Sequence, residues 1–462
     1  MQGLDIEGLL EERRGEEFEV YARAVNPRFV QLLRTIGFDV HWARAEGQYL
    51  YTSRGDRYLD MLAAYGMANV GRNHPRVAAT LRSLIELRPP DVVQLGVGTL
   101  AALLAERLLE LAPDSLGRVF FTNSGSESVE AAIKIGRAAT RRSKVLSTER
   151  GFHGLTLGAL SANGNPEFAE GFRPLVPGFS RVPFDDPEAL ERELSSEEYA
   201  LFLVEPVQGK GVTIPSEGYL RSAQETCRRH GTLLCFDEVQ TGFGRTGKMF
   251  ALEHWGVEPD IMTVAKSLSG GYVPVGACLL RAEVFDEVFS SIDEAFAHST
   301  TFQPNDMSSA AGLATLEVLT NESLPARAAD LGAELLGLTG PLAGRKDVVE
   351  DVRGLGLMWA VEFSETAGRR FAYKLAGALH SAMFAQLVAI GLFDRHHILI
   401  EAAGHDINAL KALPPLVIGG EDIRRFAAGL DEMLSDVEAH IPRSLISLGS
   451  NAARAAIDTR GP

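Results

Sequence analysis

The sequence is poor in the features that mark several large classes of protein. Only three cysteines occur in 462 residues, Cys227, Cys235 and Cys278, and they share no metal-ligand spacing. That argues against a disulfide framework and against a cysteine-built metal centre, and no metal is expected. Two of the three lie in the apolar stretches Leu-Leu-Cys-Phe and Gly-Ala-Cys-Leu-Leu, which suits buried, reduced thiols in a cytoplasmic protein. No basic stripe is present and the formal net charge is -16, so a nucleic-acid partner is not expected. No apolar run reaches the roughly 18 residues that a membrane span needs. No basic segment leads into an apolar one at the start of the chain, so neither a membrane partner nor export is expected. Internal repeats and low-complexity tracts are lacking as well. What remains has 45% hydrophobic and 23% charged residues, ordinary values for a globular protein, in a chain long enough for two or three packed units.

The organisation follows from periodicity. Residues 1–75 read as a charged, largely helical N-terminal segment that ends in a hairpin. There, two short apolar runs flank Gly55-Asp56, and the segment is expected to join the smaller domain. From 76 to 325, short apolar runs alternate with helical periodicity. Strands are expected at Arg118–Phe121, Lys144–Ser147, Ala200–Glu205, Thr232–Phe236, Ile261–Ala265 and Ala277–Leu280, with helices such as Ser126–Thr140 and Gly218–His230 between them. This is the pattern of an α/β fold with a large, mainly parallel sheet, whose ligands sit outside the carboxyl ends of the strands. A smaller α+β domain is expected over 326–445, with strands near Val348–Arg353 and Met358–Glu362 and a last helix at Glu421–His440. A frayed tail is expected over 446–462.

Three strand ends carry chemistry. After the first strand, Phe121-Thr-Asn-Ser-Gly-Ser-Glu-Ser-Val-Glu130 brings a Ser-Gly-Ser turn to the start of a helix. Bare N–H groups there, with the Ser126 hydroxyl and the close approach that Gly125 permits, favour an anion. A plain serine N-cap would have the same spelling. In Cys235-Phe-Asp-Glu-Val-Gln240, Asp237 closes an apolar strand. A carboxylate there needs a cation such as a protonated pyridine nitrogen, unless turn amides satisfy it. Lys266 closes the strand of Ile-Met-Thr-Val-Ala-Lys and precedes a glycine-rich turn. A half-buried lysine becomes a usable amine nucleophile that can form a Schiff base, although a snorkelling lysine would also fit. An anion turn, a strand-end Asp and a strand-end Lys, in that order, are the three things that pyridoxal 5'-phosphate (PLP) requires.

The chain resembles the class III (ornithine/ω-amino acid type) PLP-dependent aminotransferases of fold type I, the aspartate-aminotransferase-like fold. The resemblance runs from about Gly47 to Ile441. It rests on Gly-Arg-Asn-His-Pro (71–75), Thr-Asn-Ser-Gly-Ser-Glu (122–127), Gly-Phe-His-Gly (151–154), Glu-Pro-Val-Gln-Gly (205–209), Phe-Asp-Glu-Val-Gln-Thr-Gly-Phe-Gly-Arg-Thr-Gly (236–247), Ala-Lys-Ser-Leu-Ser-Gly-Gly (265–271) and Arg-Gly-Leu-Gly (353–356). It implies that Lys266 carries PLP and shuttles a proton, and that Asp237 holds the ring nitrogen protonated. Ser124, Gly125 and Ser126 would form the phosphate cup. Phe152 and Val239 would flank the ring, with His153 beside it, Gln240 on the ring hydroxyl and Glu205 behind the ring. Thr300 and Thr301 match the phosphate ligands of the family, with Thr301 supplied by a neighbouring subunit, so the resemblance implies a homodimer. The reaction implied is transamination between a primary amine or amino acid and an aldehyde or ketone. Arg72 and Arg245 are read as structural.

Tyr65, Lys210 and Lys411 are the substrate candidates. Ornithine- and GABA-using members of the family carry an arginine before Pro-Pro-Leu, where Asn408-Ala-Leu-Lys-Ala-Leu-Pro-Pro-Leu416 has Lys411. The ornithine type also has a gating glutamate where this chain has Lys210. A lysine is a point charge, not a bidentate fork. We therefore expect amination of an aldehyde or ketone, or the reverse, on a substrate with a sizeable apolar part. Glutamate or 2-oxoglutarate stays open as the co-substrate. Decarboxylation or an intramolecular amine shift would use the same residues, and a catalytically silent binding protein is the alternative of another class. A nicotinamide dehydrogenase is disfavoured, because no Gly-x-Gly-x-x-Gly is placed to open a helix directly after a strand.

Overall fold

A computed structural model describes residues 3–93, 95–364, 383–404 and 407–439. The expected tail lies outside the described residues. Three helices over Ile6–Ala24 and Pro27–Ile36 lead into a meander of β1 (Trp42–Glu46), β2 (Tyr49–Thr52) and β3 (Arg57–Asp60). β2 and β3 pair antiparallel through the Gly55-Asp56 turn, where Gly55 adopts a φ of 93°.

The large sheet comprises β4 (Arg118–Thr122), β5 (Lys144–Thr148), β6 (Phe179–Val182), β7 (Tyr199–Val204), β8 (Leu233–Asp237), β9 (Ile261–Val264) and β10 (Gly276–Leu280). Their order is β4-β10-β9-β8-β7-β5-β6. All pairs are parallel except those of β10, which runs antiparallel to β4 and β9. β7 is buried at every residue, as a strand covered on both faces by helices must be. One covering helix, Gly125–Thr140, lays Val129, Ala132, Ile133 and Gly136 on the sheet. β6 escapes a reading of the sequence. It is a four-residue edge strand with only Val182 buried, so it carries neither a continuous apolar run nor an alternation long enough to recognise.

β11 (Val349–Leu355) and β12 (Met358–Phe363) form a hairpin. β13 (Ile398–Leu399) runs parallel to β3, so the N-terminal meander and the C-terminal part of the chain share one sheet. β14 (Glu401–Ala402) and β15 (Ala409–Ala412) complete a second antiparallel sheet, in the order β11-β12-β15-β14. The helix Gly420–Ala439 packs on the helix Leu324–Thr339 beside it.

Arg245 ties these parts together from a fully buried position. It donates to the carbonyls of Leu357 (3.0 Å) and Pro414 (2.6 Å) and to Asn69. Burial lowers its pKa to about 9. Arg72 pairs with the buried Asp60 at 2.8 Å, so neither arginine is available to a substrate. The only Gly-x-Gly-x-x-Gly spelling, Gly242–Gly247, forms successive turns and opens no helix. All three cysteines are free and buried, and burial pushes each thiol pKa upward. Among the described residues, no helix is long and apolar enough to cross a membrane.

Candidate active site

The carboxyl ends of β4, β8 and β9 converge. Asp237 is the last residue of β8, and its register partner in β9 is Thr263. Its Oδ1 accepts from the Val239 N–H and from the Thr263 hydroxyl, both at 3.1 Å. Its Oδ2 lies 2.8 Å from His153 Nδ1. The turn-amide reading of this residue holds in part: the Val239 N–H meets the carboxylate, and three bonds leave one of its roughly four lone-pair sites open. His153 is buried, its backbone N–H donates to Asn163 Oδ1 (2.7 Å), and its Nε2 has no partner among the described residues. Thr263 and Asn163 went unnoticed in the sequence. Thr263, a lone hydroxyl in the apolar run Ile-Met-Thr-Val, was the available signal.

Lys266 follows β9 and begins a short 3₁₀ turn. Its φ is 42°, a left-handed conformation that a lysine adopts only under constraint from its surroundings. Burial lowers its pKa to about 8, opposed by the Asp237 charge and assisted by Lys411. At that value about a tenth is free amine at pH 7, far more than for an ordinary lysine, as a nucleophile requires. A second strained stretch faces it. Ala63, Ala64 and Tyr65 have φ of 45°, 51° and 61°. The Gly66 carbonyl accepts from Ser267 (2.6 Å) and the Tyr65 carbonyl from Gln240 Nε2 (3.2 Å).

The turn after β4 is both a cap and a cradle. Ser124 caps the helix by accepting from the Glu127 N–H (3.2 Å), and Ser126 Oγ accepts from Leu155 N–H (3.2 Å). A Cβ on Gly125 would lie 2.8 Å from Val239 Cγ1, and one on Gly154 would lie 2.2 Å from Ser126 Oγ. Behind the cleft, the buried Glu205 accepts from the Phe152 N–H (3.0 Å) and the Gly209 N–H (2.8 Å), and burial raises its pKa. Gln240 Oε1 is buried without a partner among the described residues, beside Gly209, where an added Cβ would approach it to 2.3 Å.

The substrate candidates separate. Tyr65 is exposed at the cleft. Lys411 on β15 is buried, donates to the Gly209 carbonyl at 3.1 Å and stands 3.7 Å from Glu401 Oε1 across the β14–β15 pair. Lys210 is turned to Glu167 and lies 5.1 Å from the Phe168 ring centre. Phe168 in turn meets Phe152 edge-on at 5.5 Å. Sequence reading missed Glu401, Glu167 and Phe168. A charge at 401 between apolar Ile400 and Ala402 was the one visible hint. The Thr300 hydroxyl accepts from Asn123 of the same chain at 2.8 Å, while Thr301 is exposed.

The class-III aminotransferase family model matches residues 35–434. The chain is a class-III aminotransferase. It is 37% identical to the putrescine aminotransferase of Pectobacterium atrosepticum, over 92% of this chain and 90% of that one. It is 34% identical to the aminotransferase PigE of Serratia sp., over 93% of this chain, but it spans only 54% of PigE. Among solved structures, the ornithine aminotransferase of Toxoplasma gondii with partial occupancy of PLP at its active site superposes with a TM-score of 0.80. It is 29% identical, over 95% of this chain and 99% of that one. The fold is therefore PLP fold type I, and the enzyme carries out PLP-dependent transamination. The residues suit that cofactor: Asp237 keeps an acceptor site, Gln240 Oε1 lacks a donor, and the glycines at 125 and 209 leave room that a side chain would fill.

Proposed function

We propose that this aminotransferase takes a terminal primary amine as donor, or forms one from the corresponding aldehyde, on a substrate with a sizeable apolar part. The observation that carries the reading is the pairing of both pocket lysines. Lys411 is matched by Glu401 and Lys210 by Glu167, so an α-carboxylate meets no open cationic fork. Phe168 and Tyr65 add apolar surface for a carbon chain.

PLP, when bound, supplies an electron sink for the carbanion left at the substrate carbon. Asp237 would hold a proton at the ring nitrogen, with His153 and Thr263 keeping its carboxylate in place. Lys266 would carry the cofactor between turnovers and would remove and return the proton at the substrate carbon. Phe152 and Val239 would flank the ring, and Gln240 would accept from its hydroxyl. Ser124, Gly125, Ser126 and Thr300 would hold the phosphate. A homodimer with Thr301 contributed across its interface is supported by the exposed apolar side chains of the same loop, Phe296 and Phe302. Three buried free thiols suit a reducing, cytoplasmic compartment.

The test is a single-turnover survey of the PLP-loaded protein, following loss of the visible cofactor band with terminal amines and with α-amino acids. We expect alkyl amines and diamines to convert the cofactor at least about tenfold faster than alanine, the difference expected from one missing charge-assisted contact. Reaction of short α-amino acids alone, as donors and as oxo-acid acceptors, would overturn the reading.

A further inference from the structure

Glu401 has a buried carboxylate oxygen at this cleft that meets no donor among the described residues. Glu205 spends both oxygens on backbone amides, and Asp237 spends its own on His153, Val239 and Thr263. Glu401 Oε1 is ion-paired with Lys411 at 3.7 Å, and the Lys411 ammonium also donates to the Gly209 carbonyl at 3.1 Å. Glu401 Oε2 is buried and has no hydrogen-bond partner among the described residues. A buried acceptor without a donor is unfavourable, and that cost disappears when a ligand brings the missing N–H.

The direction of this open acceptor is set by its neighbours. Glu401 lies 3.7 Å from the Lys411 ammonium, which meets the carbonyl of Gly209, the residue beside Gln240 Oε1, so the carboxylate stands next to the cleft. A cationic donor makes a stronger hydrogen bond to a carboxylate oxygen than a neutral donor does, so Glu401 Oε2 favours an ammonium.

We propose that Glu401 is a specificity-determining residue, whose free oxygen receives the distal ammonium of an α,ω-diamine while its other amine is presented to Lys266. The inference rests on the terminal-amine reading above and adds the recognition of the far end. The backbone of β14 sets the reach. Glu401 and Lys411 are register partners on adjacent strands, which fixes the Glu401 backbone beside Lys411.

The experiment compares 1,5-diaminopentane, 5-aminopentan-1-ol and 1-aminopentane in single turnovers of the PLP-loaded enzyme, for the wild type, E401Q and E401L. Binding of each amine to the borohydride-reduced holoenzyme, read by calorimetry, separates recognition from chemistry. In the wild type the diamine is expected to lead. E401L should lower kcat/KM and affinity for the diamine by about 10- to 100-fold, the range for a charge-assisted hydrogen bond, and leave 1-aminopentane within about threefold. E401Q should fall between them. An equal loss for all three amines, or none for the diamine, overturns the proposal. So does an amino alcohol that matches the diamine in rate and in sensitivity to E401L, since a neutral donor would then suffice. If no terminal amine reacts with the wild type while short α-amino acids do, the terminal-amine reading itself fails, and this inference falls with it.

Discussion

At the scale of single residues, the site is built by assigning each carboxylate a fixed set of donors. D237N keeps the shape but removes the charge opposite the ring nitrogen. We expect kcat to fall about 10²–10³-fold, as when one preorganised electrostatic group is lost, with the melting temperature close to that of the wild type. Turnover assays and calorimetric scans check both halves. Lys266 gives a pH prediction with a definite sign. Free of cofactor, its pKa is about 8 in the folded chain against 10.5 for an ordinary lysine. Between those values the unfolded chain binds more protons, so stability of the cofactor-free protein rises with pH across that window, and below it the buried ammonium is carried at full cost. Thermal melts of cofactor-free wild type and K266M from pH 7 to about 10.5 test this; the wild type should gain on the variant as pH rises, and parallel curves would refute it.

At the scale of elements, the phosphate turn and the strand-end loop after β8 are interlocked by volume. G125A should drive its Cβ into Val239, 2.8 Å away, and destabilise by about 1–3 kcal/mol through overpacking. Adding V239A should recover most of that loss, and a double-mutant cycle on melting curves would show the coupling. Much of this scale was legible in the sequence. Asp237 and Lys266 stand at the ends of apolar runs because strands that must be buried end where a polar side chain reaches the cleft, and the Ser-Gly-Ser turn is an N-cap by composition alone. Glu401 and Phe168 were not legible. They belong to a two-residue strand and a short 3₁₀ turn, and their place in the cleft depends on pairing and packing far along the chain, not on local periodicity. β6 was lost for a related reason: an edge strand has too few buried residues to print a pattern.

At the scale of the whole molecule, two features bind distant segments. Arg245 satisfies carbonyls of Leu357 and Pro414 and the amide of Asn69 together. R245M should leave three buried acceptors without donors, for a loss of about 3 kcal/mol or more, and R245K should rescue little because an ammonium cannot reproduce the planar fork. Urea titration measures both. The second feature is the proposed dimer. When T301A and K266A chains are mixed and re-equilibrated, a threonine acting across the interface generates one intact site per hybrid dimer, and activity returns. A threonine acting within its own chain generates none, and the mixture stays inactive.

Burial of all three thiols has a practical consequence of another kind. Native protein should react with maleimides slowly or not at all, while an exposed replacement such as Glu217→Cys would be modified at once. A single fluorophore or surface tether could thus be attached at a chosen point without first removing the natural cysteines, and the exchange of subunits could be followed in real time.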